Sequence, residues 1–218
     1  MKLQKMIPLL EEEELEDLLW KIMESEDLSY EGITIKNILP FIDEDVLDEA
    51  AVEYYHRGGN VKSLLPFMSE DGVDALARIM VEEQADVSEL LPFMSDDGVE
   101  AVMENDYLDY DTAVNALPFA DEEAVYAAYK RAYQSGNDVT TFLPFMDDDD
   151  IDEAFMQTVE DGRTDKSFYP FVSEDCWHEI MVKYMNGEVD FDFDDAYGFM
   201  DSDDVRELFR YEMKKRSV

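Results

Sequence analysis

Few residues in this chain are suited to nucleophilic or metal chemistry, and almost all of its ionisable groups are acids. One cysteine and two histidines stand among 56 Asp and Glu. Cys176-Trp177-His178 sets a thiol and an imidazole two positions apart. A structural zinc site needs four such ligands. The other histidine, His56, lies far away in the sequence beside Arg57-Gly58-Gly59, and no second pair at metal-binding spacing exists. A Cys–His nucleophile also needs the two side chains to meet in space with a third group orienting the base, and no pattern here points to that. Asp190-Phe191-Asp192-Phe193-Asp194 opens like a calcium loop, but Asp195 and Asp201 occupy the places where that loop wants Gly and Glu. Paired carboxylates could serve glycoside chemistry, yet acids are so frequent that their presence carries no signal. The expectation is a chain with no catalytic, cofactor or metal residues, and not an enzyme.

What could position any site is a repeat. Leu39-Pro40-Phe41-Ile42, Leu65-Pro66-Phe67-Met68, Leu91-Pro92-Phe93-Met94, Leu117-Pro118-Phe119-Ala120, Leu143-Pro144-Phe145-Met146 and Tyr169-Pro170-Phe171-Val172 recur at 26-residue intervals. Pro8 begins an earlier copy, 32 residues before Pro40, and Gly198 stands in the proline's place in a later one, 28 residues after Pro170. A period of this size marks a repeat array. Three residues after the proline stand Glu11, Asp43, Ser69, Ser95, Asp121, Asp147, Ser173 and Asp201. All but Glu11 are strong N-cap types, and the acids that follow suit the positive end of a helix. The columns seven, ten, eleven and fifteen after the proline are apolar and share one helical face. Each unit therefore predicts one long amphipathic helix, with Gly58, Gly136 and Gly162 ending it in three of them.

A second cap column, Thr34, Asn60, Asp86, Thr112, Asp138, Thr164 and Asp192, predicts a short helix that the proline stops. Leu-Pro-Phe-Met then reads as an apolar corner packing one unit on the next. No stretch alternates with period two, so no sheet is expected. The expected fold is all-α: an α-solenoid of about eight 26-residue two-helix repeats, one long and one short helix per repeat. It forms a single elongated domain over residues 1–218. Such units bury their apolar faces by stacking. The period is near that of leucine-rich variant repeats, but the cysteine cluster of that family is missing, and no family is assigned.

The net charge is −39. Such a surface repels nucleic acid and anionic membrane. No apolar run approaches membrane-spanning length, and the first residues lack a signal-peptide core, so a cytoplasmic location is expected. The acids gather at the starts of the long helices; the short segments carry Lys36, Lys62, Ser88, Thr140, Thr141 and Lys166 instead. The function expected is a non-enzymatic scaffold that binds a protein with a basic surface. Two alternatives follow from the same charge: a nucleic-acid mimic occupying a DNA- or RNA-binding protein, and a weak multi-site cation binder. The candidate surface is Glu70, Asp71, Asp96 and Asp97, with Tyr110 and Tyr126 as the outward members of a tyrosine-rich stretch. His178 falls in a column shared with Glu16, Asp48, Asp74, Glu100, Tyr126, Asp152 and Arg206, expected to be exposed.

Overall fold

Helices begin where the first cap column places them. The computed structural model describes residues 3–105 and 108–216. Asp106, where the sequence departs from the repeat, and Tyr107, in its column fifteen, lie outside the described residues. The long helices are α1 (Glu12–Glu24), α3 (Glu44–His56), α4 (Glu70–Glu82), α5 (Asp96–Met103), α7 (Glu122–Ser135), α8 (Asp148–Glu160), α9 (Glu174–Asn186) and α10 (Ser202–Lys215), and two shorter ones are α2 (Ile35–Ile38) and α6 (Tyr110–Ala116). Among the described residues the protein is all-α but for one minimal hairpin. The hydroxyls of Ser69 and Ser95 accept the amides of Gly72 and Gly98 at 3.0 Å. Asp121 and Asp147 accept those of Ala124 and Asp150 at 2.7 Å. Glu11, the exception in the column, is served in reverse: its own amide donates to the Glu14 carboxylate at 2.9 Å.

The chain divides into two compact units, Met1–Ala124 and Val125–Val218. In the first, α3 packs on α1 and α4, and α4 packs on α5. Its core is aliphatic, built from Leu19, Ile22, Leu47, Leu64, Leu76 and their neighbours. In the second, α8 and α10 pack on α9. Its core is a cluster of rings: Trp177 lies 5.1 Å from Phe155 and 5.0 Å from Tyr169, both edge-on, an arrangement aromatic pairs prefer. The column ten after the proline is buried in every unit, from Leu18 through Val102 to Leu208. In column eleven, Phe209 of α10 is 65 % exposed, whereas Ala51, Ala77, Met103, Tyr129, Phe155 and Met181 are buried.

Gly58, Gly136 and Gly162 do take the left-handed conformation after their helices, and Gln84 is held in the same conformation at the matching position after α4. The hairpin was not expected. Strands β1 (Ser29–Tyr30) and β2 (Ile33–Thr34) pair antiparallel. Glu31 and Gly32 between them have φ of 51° and 75°. Positive φ at both central residues is what the tightest hairpin turn requires. The hairpin falls in the unit whose spacing to the next proline is longest, so the extra residues are folded locally and the repeat resumes.

The short segments also differ from expectation. Among the described residues, only α2 and α6 are α-helical; elsewhere the segments are single 3-10 turns or plain turns, as at Val61–Ser63 and Lys166–Phe168. Six residues from cap to proline leave room for one turn at most, and the first turn of a helix is its least favourable, so an α-turn closes at that spacing in α2 alone among the described residues. Where α6 does form, it starts earlier: Asp109, not Thr112, is its cap and accepts the Thr112 amide at 3.0 Å. Asp165, not Thr164, caps the turn that leads to Pro170, accepting the Ser167 amide at 2.9 Å. No helix follows Asp192, which accepts the Asp194 amide at 3.0 Å within a turn. In the Leu-Pro-Phe-Met corner, the leucine before each proline is buried as expected, but the phenylalanine after it is not. Phe41, Phe67, Phe93, Phe119, Phe145, Phe171 and Phe199 are all 37–44 % exposed.

Candidate functional site

The repeat places one carboxylate of each of three helices against the start of the following helix. Asp74 of α4 accepts from both the hydroxyl of Ser95, at 2.5 Å, and the Ser95 amide, at 3.1 Å. Asp48 of α3 binds the Ser69 hydroxyl at 2.5 Å and its amide at 3.3 Å. Asp152 of α8 accepts the Ser173 amide at 2.9 Å and its hydroxyl. The serine is thus a relay: its oxygen accepts the amide of the first helical turn while its proton goes to the carboxylate of the preceding helix. Asp74 is 6 % exposed. At two of these rungs a glycine stands in the next helix, and a Cβ at Gly72 or Gly98 would displace the Asp48 or Asp74 carboxylate; the Asp152 rung accommodates Cys176 at that position.

Of the eighth column, His178 is exposed as expected, whereas Asp48, Asp74 and Asp152 are packed between helices. The sequence did hold a signal for that packing. Every unit with Asp in that column is followed by a unit capped by Ser: Asp48 by Ser69, Asp74 by Ser95, Asp152 by Ser173. Where the column holds Glu16, Glu100, Tyr126 or His178, the next cap is Asp43, Asp121, Asp147 or Asp201. Serine can donate to a carboxylate; an ionised aspartate cannot. Glu100 shows the acid–acid case, since the Asp121 carboxylate, first among several causes, raises the pKa of its carboxyl.

The chemical candidates lie apart from one another in character. Cys176 is buried, and desolvation, then the Asp152 charge, push its thiol up to about 12. A thiol held protonated is a poor nucleophile and ligand. His178 is exposed, and its Nδ1 lies 2.8 Å from Asp204; that hydrogen bond raises its pKa. His56 Nε2 lies 2.8 Å from Glu83. Phe191 and Phe193 turn inward, with ring centroids 4.7 Å apart, while Asp190, Asp192 and Asp194 are exposed. Among the described residues, no three His, Cys, Asp or Glu converge in a way that could hold a metal ion.

The four predicted acids, Glu70, Asp71, Asp96 and Asp97, are exposed in the first turns of α4 and α5. Among the described residues, none of them takes part in an ion pair. The cations of the short segments are placed differently: Lys62 pairs with Glu89 at 2.6 Å, and Lys166 pairs with Asp195. The rungs bring the starts of α3, α4 and α5 side by side, so the acidic first turns share one edge of the first unit.

The two tyrosines are half-buried rather than outward. Tyr110 opens α6 in the first unit. Tyr126 belongs to the second, where its ring stacks on Tyr129 at 5.9 Å and lies 3.9 Å beneath the Lys130 ammonium. Burial, then Glu153, push its phenol up to about 12. Tyr133 is half-buried and donates to Asp161 at 2.8 Å. Among the described residues, no helix is long and apolar enough to cross a membrane. No family model, no curated protein and no solved structure matches this chain.

Proposed function

We propose that the protein is a non-enzymatic helical-repeat scaffold of eight stacked units, an α-solenoid, that binds another protein carrying a basic surface. The observation that supports this is the difference in charge pairing within one unit. Glu89 of a short segment is matched by Lys62, whereas Glu70, Asp71, Asp96 and Asp97 are exposed at two neighbouring helix starts and, among the described residues, pair with no cation. Capping a helix uses one acceptor, already supplied by Ser69 and Ser95, so the acids after them are not needed as caps. Like charges held along one edge repel, and a cationic partner relieves that repulsion and is steered to the edge.

Affinity capture from a native lysate at about 0.05 M and 0.3 M salt, on either side of the physiological range where the Debye length is about 8 Å, tests the reading. The expected result is a protein with a basic surface, retained at the lower salt and lost at the higher. Capture of a nucleic-acid-binding protein released by added DNA would favour a nucleic-acid mimic instead. Retention that depends on calcium alone would favour a cation binder.

A further inference from the structure

The corners give the acidic edge a second chemical feature. In the first unit, Phe41, Phe67, Phe93 and Phe119 each present 38–44 % of their surface to solvent. Each stands two residues before a cap, and an exposed acidic pair follows that cap, as Phe67 is followed by Glu70-Asp71 and Phe93 by Asp96-Asp97. Single exposed apolar side chains are ordinary. Here the same ring recurs at the same place with nearly the same exposure, on helix starts that the Asp48–Ser69 and Asp74–Ser95 bonds hold together. Aromatic rings are enriched at protein interfaces.

We infer that each unit of this edge offers one aromatic ring and two carboxylates to an extended, basic segment of a partner protein, whose apolar side chains sit against the phenylalanines and whose cations meet the acid pairs. The inference rests on the scaffold reading above and names the chemistry of its partner. Packed helices lie about 8–10 Å apart, and an extended chain in the polyproline-II form advances about 3.1 Å per residue with three residues per turn, so every third side chain faces the same way. One unit therefore matches about three partner residues: two cations and one apolar side chain. A second copy of this chain fits poorly, because its net charge of −39 opposes close approach.

The test uses two fluorescent twelve-residue peptides of equal charge, (Lys-Lys-Leu)4 and (Lys-Lys-Ser)4, titrated with the full chain at about 0.15 M salt, near the physiological ionic strength. The leucine peptide is expected to bind at least about tenfold tighter, the factor that about 1.4 kcal/mol provides. In the Phe67→Ser/Phe93→Ser variant that ratio should fall towards one, with the serine peptide bound as before. Equal affinity of the two peptides for the parent would overturn the aromatic half of the site while leaving the acidic edge standing. Failure of both peptides to bind would overturn the acidic edge itself, and this inference with it. An unchanged ratio in the variant would place the leucines elsewhere and also overturn it. The parent comparison stands whether or not the variant folds.

Discussion

Asp74 and Ser95 are joined twice, by the serine hydroxyl at 2.5 Å and by its amide at 3.1 Å, across 21 residues of chain. The bond couples the eighth column of one unit to the cap of the next, so local capping and the packing of successive helices become one interaction. Hydrogen bonds to a charged group are worth about 1.5–3 kcal/mol, and the low exposure of Asp74 places this one in the upper part of that range.

Ser and Asp cap helices about equally well, so Ser95→Asp on an isolated helix would be neutral. Against Asp74 it replaces a donor with a second carboxylate. Chemical denaturation should show a loss of about 2 kcal/mol or more for Ser95→Asp and a comparable loss for Asp74→Ala. The double variant should be clearly more stable than the sum of the two losses implies, because the new carboxylate then has no acid opposite it. Additive losses would mean that the two residues do not interact.

Gly98 makes a second demonstration of the same contact. Gly→Ala inside a helix normally stabilises by about 1 kcal/mol. At Gly98 the added methyl meets the Asp74 carboxylate, so Gly98→Ala should lower the melting temperature. In an Asp74→Ala background the usual gain should return. A gain in the parent would show that Asp74 has room to move.

Glu100 occupies the rung position opposite an aspartate cap, and the Asp121 charge, first among the causes, raises its pKa. A carboxyl whose folded pKa lies above its unfolded value carries a penalty that is absent below the ordinary glutamate value. The penalty grows as pH rises through the raised value and is complete above it. Glu100→Gln should therefore raise the melting temperature at neutral pH and leave it nearly unchanged in acid, where the parent is protonated. The gain should shrink with added salt. A variant that melts with the parent at neutral pH and low salt would contradict the repulsion.

His178 gives the opposite sign. Its hydrogen bond to Asp204 raises the imidazole pKa, so the interaction contributes fully below the ordinary histidine value and is lost as pH rises through the raised one. A proton NMR titration should place His178 above the ordinary histidine range, and Asp204→Asn should bring it back down. An unshifted His178 in the parent would mean that the pair does not form in solution. The side chain is exposed, so the effect on stability is small.

The sequence displayed its long helices plainly, since cap, acids and apolar columns agree in Ser69-Glu70-Asp71-Gly72-Val73 and its equivalents. Local chemistry of this kind needs no tertiary context. The rungs were harder to see, because Asp74 reads as a solvated acid on its own helix, and only its pairing with Ser95 in the next unit gives it away. The exposed phenylalanines were hidden for a related reason. An apolar run such as Leu-Leu-Pro-Phe-Met suggests burial throughout, and only the 3-10 turn at Leu91–Phe93 separates the buried Leu91 from the exposed Phe93. The α6 start at Asp109 was missed, because the cap column pointed to Thr112 three positions later and a longer helix formed.

The most direct test of the account is the affinity of the captured partner for the parent and for Glu70→Gln/Asp71→Asn/Asp96→Asn/Asp97→Asn, measured at low and physiological salt. The caps Ser69 and Ser95 and the rungs of Asp48 and Asp74 are untouched by these changes, so the circular dichroism of the variant should match the parent. The account predicts association that is weakened at least about tenfold, or about 1.4 kcal/mol, with a shallower dependence on salt. Unchanged affinity and salt dependence in a fully helical variant would contradict it.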